Sequence, residues 1–246
     1  MIQEPLKFTT IYSEFIVMLY KSIKRLNFFL KIIYDFSKGF IGLRNIGPCV
    51  TVFGSAMLNQ THNEYINVKN LGCELARLGF AVMTGGGPGL MEAANSGAKL
   101  TGGLSIGCCI NLAKQENPNP YLDLKFIFND FFIRKYMLSN FSCAFVVAPG
   151  GFGTLDELFE IITLVKTSKI SPCPIYLLNK NYWEPIIFFA QNEMIHLGTI
   201  KTEDLNLIKI LDDPLEIAFE IKNYLNKTPI YFNSKSKSIE KIKHIS

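Results

Sequence analysis

Two stretches decide the fold: Phe80-Ala81-Val82-Met83-Thr84-Gly85-Gly86-Gly87-Pro88-Gly89-Leu90-Met91-Glu92 and Cys143-Ala144-Phe145-Val146-Val147-Ala148-Pro149-Gly150-Gly151-Phe152-Gly153-Thr154-Leu155-Asp156-Glu157. Each opens as a short apolar run, turns through glycines, and leads into a helical pattern. Continuous apolar runs of this length read as strands buried on both faces. A glycine-rich turn between strand and helix lets the backbone bend sharply and approach a ligand without a Cβ in the way. The free amides of the following helix then point at an anion, aided by the helix dipole. Two such turns in one sheet predict a shared phosphate cradle at a topological switch point.

Working outward, the same alternation continues. Strands are predicted at Cys49–Phe53, Leu104–Cys109 and Pro174–Leu178, with a weaker one near Leu207–Leu211. Helical patterns lie at about 63–78, 89–100, 131–140, 154–168 and 182–197. A last helix begins after Asp212-Asp213-Pro214, with an acidic first turn and proline where helix starts prefer it. Strands alternating with helices predict an α/β fold, a Rossmann-like, doubly wound parallel sheet. Three regions follow: an N-terminal helical extension over 1–45, a nucleotide-binding catalytic domain over 46–226, and a basic tail over 227–246 holding five lysines.

Composition narrows the function. Twenty Phe, ten Tyr and 48% apolar residues in 246 supply a large core. The net charge of +4, from 25 basic and 21 acidic residues, is too small to indicate nucleic acid. Six cysteines without a CxxC pair, beside only three histidines, predict buried thiols in a cytoplasmic protein rather than a metal site or a disulfide framework. The N-terminal apolar residues Ile11, Phe15, Met18, Leu19, Leu26, Phe29, Leu30 and Ile33 recur at helical spacing. Their longest unbroken run, Phe15–Tyr20, is far short of the ~20 residues that span a bilayer. No integral membrane segment and no signal peptide are expected. One or two amphipathic helices over 10–38 should pack on the domain or on a sister subunit, with peripheral membrane contact as the alternative.

The turns themselves exclude common ligands. Gly54-Ser55-Ala56 after the first strand lacks GxGxxG, and no GK[ST] follows any strand, so a phosphorylated small molecule fits better than NAD or ATP. Glu157 falls in the first turn of its helix, where it either complements the dipole or acts on a ligand. The doublet Arg134-Lys135 sits among aromatics in Phe131-Phe132-Ile133-Arg134-Lys135-Tyr136, as surface charge or as basic groups reaching a cleft.

These segments resemble the LOG (lonely guy) family, whose older members were often labelled lysine decarboxylases. The resemblance rests on Gly85-Gly86-Gly87-Pro88-Gly89-Leu90-Met91-Glu92-Ala93-Ala94-Asn95, the Arg134-Lys135 doublet, Pro149 through Glu157, and the interval between Arg134 and Glu157. Further segments are similar to its longer bacterial branch: Ile46-Gly47-Pro48, Phe53-Gly54-Ser55-Ala56, Asn117-Pro118-Asn119-Pro120-Tyr121, Tyr182-Trp183 and Asp212-Asp213-Pro214. Together they cover about residues 30–225.

The resemblance implies a homodimer or higher homo-oligomer that hydrolyses the N-glycosidic bond of purine nucleoside 5′-monophosphates without metal or cofactor. Substrates would be AMP, as for an AMP nucleosidase, or cytokinin riboside monophosphate. It implies Arg134 and Glu157 as the catalytic pair. Substrate would be held by Gly54, Ser55, Gly85, Gly86, Gly87, Gly89, Gly150, Gly151, Gly153 and Thr154, with Met91 and Lys135 beside the nucleotide. Met57 and Lys166 stand where members commonly carry Arg and Gln, and both are expected to bear on the pocket. A non-catalytic nucleotide sensor and a molybdopterin carrier are the competing readings.

Overall fold

The computed structural model describes residues 6–112 and 117–228, of which 6–16 by backbone alone. Its sheet has seven parallel strands: β1 (Cys49–Phe53), β2 (Ala81–Thr84), β3 (Ser105–Ile110), β4 (Leu124–Phe128), β5 (Ala144–Val147), β6 (Ile175–Leu178) and β7 (Ile208–Leu211). Their order is β4-β3-β2-β1-β5-β6-β7. The chain therefore builds outward from β1 to one edge, returns to the far side of β1, and builds to the other edge. This is the doubly wound architecture that the alternation predicts.

Alternate residues of each strand feed two cores, because successive side chains point to opposite faces. Phe53, Phe145 and Val147 join one cluster with Ile133, Met137, Leu158 and Trp183. Val50, Val52 and Val146 join the other with Leu71, Leu75, Leu90 and Ile221. Helices α1 (Leu6–Leu43), α4 (Phe131–Asn140), α5 (Phe152–Lys166) and α6 (Lys180–Phe189) supply the first face. Helices α2 (Asn63–Arg77), α3 (Leu90–Leu100) and α7 (Pro214–Lys227) supply the second. Between α2 and α3 the backbones nearly touch: a Cβ on Gly97 would lie 2.0 Å from the Lys69 carbonyl oxygen. Only glycine fits there.

Two departures from the sequence reading have physical causes. Strand β4 was not anticipated, since its partly exposed edge sequence Leu-Lys-Phe-Ile-Phe carries a lysine and lacks the continuous apolar run of the inner strands. The N-terminal extension, expected as one or two helices over 10–38, is one continuous helix of 38 residues. The helix expected over 182–197 starts earlier, with Asn179 accepting a hydrogen bond from the Tyr182 amide, and passes into a π-helical turn at Ala190–Met194. Most of the basic tail lies outside the described residues. Among the described residues no helix is long and apolar enough to cross a membrane.

The last part of α1 anchors the loop that leads into α4. Buried Asp35 accepts hydrogen bonds from the amide and side chain of Asn129, each at 2.9 Å. The next residue, Asp130, caps α4 by accepting from the Phe132 amide at 2.8 Å. The helix carrying Arg134 is thus fixed at its start from two sides.

Candidate active site

The strand order reverses between β1 and β5, and the loops after β1, β2 and β5 meet at that point. They are tied together through the backbone. The Ser55 amide donates to the Pro149 carbonyl at 3.0 Å, and the Leu90 amide donates to the Ser55 carbonyl at 2.8 Å. Gly89 adopts φ +68°, and a Cβ there would lie 2.4 Å from the Ser55 oxygen. Thr154 is buried, its hydroxyl directly beneath Gly150, whereas Gly151 and Gly153 face open space. Helices α3 and α5 both begin on glycines, Gly89 and Gly151, that offer no side-chain cap. Helices α4, α6 and α7 are capped by Asp130, Asn179 and Asp213. First-turn amides without a side-chain acceptor, in two helices opening onto one crevice, suit an anion.

Arg134 spans the two glycine loops. Its Nε donates to the Cys108 carbonyl of β3 at 2.8 Å, and its Nη1 donates to Glu157 Oε1 at 3.0 Å. A Cβ on Gly85 would sit 2.3 Å from Arg134 Nη2, so the end of the guanidinium is pressed against the first loop. Both side chains are largely withdrawn from water, at 11% and 13% exposure, with an edge of each still reachable. Burial pushes the Glu157 carboxyl above its ordinary value, and the charge and hydrogen bond of Arg134 oppose that rise. A carboxylate tuned this way at a strand-end crevice is a candidate for chemistry. The neighbouring thiols are not. Burial pushes Cys108 up to about 12 and Cys109 upward as well, against the charge of Arg134, so both stay protonated and non-nucleophilic.

Residues to which the sequence assigned no role hold the loops in place. Asn95, fully buried on α3, accepts from Thr84 Oγ1 at 2.6 Å and from Asn119 Nδ2 at 3.0 Å, and donates to Ser105 Oγ at 2.9 Å. Asn119 also donates to the Gly87 carbonyl at 3.0 Å, while its own amide donates to the Gly86 carbonyl at 2.9 Å. The only sequence signal was an amide on the apolar face of α3, together with asparagines in the Asn-Pro-Asn-Pro segment. On the second loop the Tyr182 hydroxyl donates to the Gly150 carbonyl. Removing one partner from such a buried network leaves groups unsatisfied, at about 1–3 kcal/mol. Asn119→Ala is therefore expected to raise KM for a nucleotide about tenfold with little change in kcat; steady-state kinetics check the split, and a kcat loss with unchanged KM would contradict the assignment.

Of the expected site residues, Gly54, Ser55, Gly85, Gly86, Gly87, Gly89, Gly150, Gly151, Gly153, Thr154, Arg134 and Glu157 converge on this crevice or its walls. Met91 lies over the first loop, its thioether against Gly85 and Gly87. Lys135 is held toward α5, with Nζ 2.9 Å from Asp156 and 2.8 Å from Glu160. Burial alone would lower its ammonium, but the bonds and charges of Glu160 and Asp156 outweigh that and hold it up. Met57 is 80% exposed beside Ser55, at the rim. Lys166 does not reach the loops: nine residues beyond Glu157 on α5, it lies about 14 Å along the axis and pairs with Asp204.

Residues 91–221, just over half of the chain, match the protein family described as "Possible lysine decarboxylase". The cytokinin riboside 5′-monophosphate phosphoribohydrolase of Mycobacterium tuberculosis is 34% identical over 106 residues, 42% of this chain and 57% of that protein. The enzyme of the same name from Rhodococcoides fascians is 28% identical over 150 residues, 59% of this chain and 75% of that protein. The chain spans about half the length of the curated relatives it matches, with shares from 39% to 75%. Among solved structures, the molybdenum cofactor binding protein from the phototrophic bacterium Rippkaea orientalis superposes with a TM-score of 0.56 at 25% identity, over 73% of this chain and 98% of that one.

Proposed function

We propose, on the premise that this chain belongs to the family described as possible lysine decarboxylases, the LOG family, that it hydrolyses purine nucleoside 5′-monophosphates to free base and ribose 5-phosphate. The observation that carries this reading is the Arg134–Glu157 pair standing between two uncapped glycine loops. The relatives named as cytokinin riboside 5′-monophosphate phosphoribohydrolases support the same reaction class and a cytokinin riboside monophosphate as substrate; AMP is proposed beside it.

In the reaction the C1′–N bond of the ribosyl–base linkage breaks, water supplies the new C1′ oxygen, and a proton goes to the departing base. The sugar gains positive charge and the base negative charge on the way. Glu157, ionised, stabilises the oxocarbenium-like sugar or orients the attacking water. Arg134 holds the carboxylate in place and offsets the negative charge that develops as the base leaves. The 5′-phosphate, gripped by the amides of Gly150–Thr154 and the first glycine loop, positions C1′ over Glu157. Equivalent chemistry in a second copy, in a homodimer within the cytoplasm, fits the reading.

Decarboxylation of the pyridoxal-phosphate kind is not suited by the lysine that stands beside Glu157. A Schiff-base lysine must shed its proton readily, and Lys135, the lysine beside Glu157, is held protonated by two carboxylates. Carriage of a molybdopterin is the second reading, favoured by the likeness to the Rippkaea protein.

The deciding experiment offers AMP and adenosine to the purified chain and measures adenine release. AMP is expected to turn over at least ~1000-fold better by kcat/KM, because a nucleoside gives the cradle nothing to grip. Equal rates would remove the phosphate cradle, and no release alongside a tightly bound pterin in the mass spectrum would favour carriage.

A further inference from the structure

Residues 17–31 of α1 leave every side chain exposed, whereas the domain covers the helix only further on, through Ile32, Asp35, Phe36, Gly39 and Leu43. The exposed stretch is strongly apolar. Leu19, Ile23, Leu26, Phe29, Leu30, Ile33 and Tyr34 are each exposed to half or more of their surface. With Ile41 they leave on the order of 900 Å² of mostly apolar surface in water, more than a monomer normally tolerates and close to the ~800 Å² per partner of a standard interface.

The arrangement says what covers it. We propose that α1 pairs with α1 of a second copy of this chain along a heptad seam. Leu19, Ile23, Leu26, Leu30 and Ile33 follow one another at intervals of four, three, four and three, the repeat that keeps one stripe facing a partner helix. In the sequence the same intervals continue back to Ile16 and Tyr12. The seam carries no charge, and its flanks Tyr20, Ser22, Asn27, Phe29 and Tyr34 carry none either, so two copies meet without repulsion.

The cations of this segment stand off the seam, on a face they share with exposed Val17, Met18 and Phe28. Lys24 and Lys31 share a heptad position with Lys38, which donates to the Ile127 carbonyl of the chain's own domain at 2.8 Å. Lys21 shares one with buried Asp35, and Arg25 one with buried Gly39. All four therefore stand off the seam itself, with Lys24 reaching back over the ring of the flanking Tyr20, its ammonium 4.7 Å from the centroid. The regular heptad of the seam, with no charge on it or on its flanks, favours a second copy over a lipid surface.

The test is the mass of the full-length chain in solution, by light scattering. The wild type should show at least two chains per particle, and Leu26→Glu with Leu30→Glu should halve that mass. Leu26→Ser with Leu30→Ser, which adds no charge, should weaken self-association at least ~100-fold, as expected for two central interface positions. Lys24→Glu with Lys31→Glu, off the seam, should leave the mass unchanged. A wild type of one chain, or a mass that none of the seam substitutions alters, overturns the proposal. So does a single-chain wild type that sediments with phosphatidylglycerol vesicles, which assigns the stripe to lipid. Adenine release per chain, followed in parallel, reports separately on the hydrolase reading.

Discussion

Glu157→Gln lowers adenine release from AMP on the order of a hundredfold or more, the range for losing one electrostatic stabiliser, while AMP still binds. The amide is nearly the same size and can still accept a hydrogen bond from Arg134, so the loops keep their shape. What disappears is the negative charge beside C1′. The pH profile gives a second signature. Because burial raises the Glu157 carboxyl, its ionisation, and hence the acid limb of kcat/KM, lies above the usual carboxylate value of about 4.3. In the glutamine variant that limb is absent. A variant with near-normal turnover, or one that keeps the acid limb, would take Glu157 out of the mechanism.

Arg134→Met has the larger structural effect. The arginine links β3, the first glycine loop and Glu157, all from a largely buried position. Losing it leaves a buried carboxylate without its cation, an error that costs about 3–5 kcal/mol when one member of a buried pair is removed. Turnover should fall by at least ~1000-fold, since transition-state charge and the setting of Glu157 are lost together.

The stability loss depends on pH. In the native protein the Glu157 carboxyl already titrates above its unfolded value, and without Arg134, which lowers it, it titrates higher still. The folded state then binds the proton more tightly than the unfolded state. Stability from this group is therefore present at low pH and is lost as pH rises from the unfolded value through the folded one. The deficit of Arg134→Met relative to wild type should be larger at pH 8 than at pH 5. Urea melts at the two pH values measure it, and a deficit independent of pH would show that the arginine acts by packing alone.

The two sides of the molecule differ in how much local sequence reveals. The inner strands were readable because burial on both faces demands unbroken apolar runs, as in Ala144–Val147. The two glycine loops were readable because a strand-to-helix bend that leaves amides open has few solutions other than glycine. Edge strand β4 was not readable, because one covered flank imposes no such composition. Lys166 illustrates the same limit in the site: its place in a family pattern suggested the pocket, but the rise of α5 carries it to Asp204.

By itself, then, the amino-acid sequence determined the strand-and-helix alternation, the two glycine-rich strand-to-helix turns, and the separate candidacies of Arg134 and Glu157. Periods of 2 and 3.6 residues and the needs of a glycine turn are local properties, legible without neighbours. The tertiary structure alone decided that Arg134 abuts Gly85 while bonding a carboxylate 23 positions away, that Asn119 and Tyr182 hold the loop carbonyls, and that the α1 stripe faces outward. Those relations follow from which strands neighbour β1 and in what register. Strand order is set by the burial of whole faces against each other, a property of the assembled layers that no short segment carries.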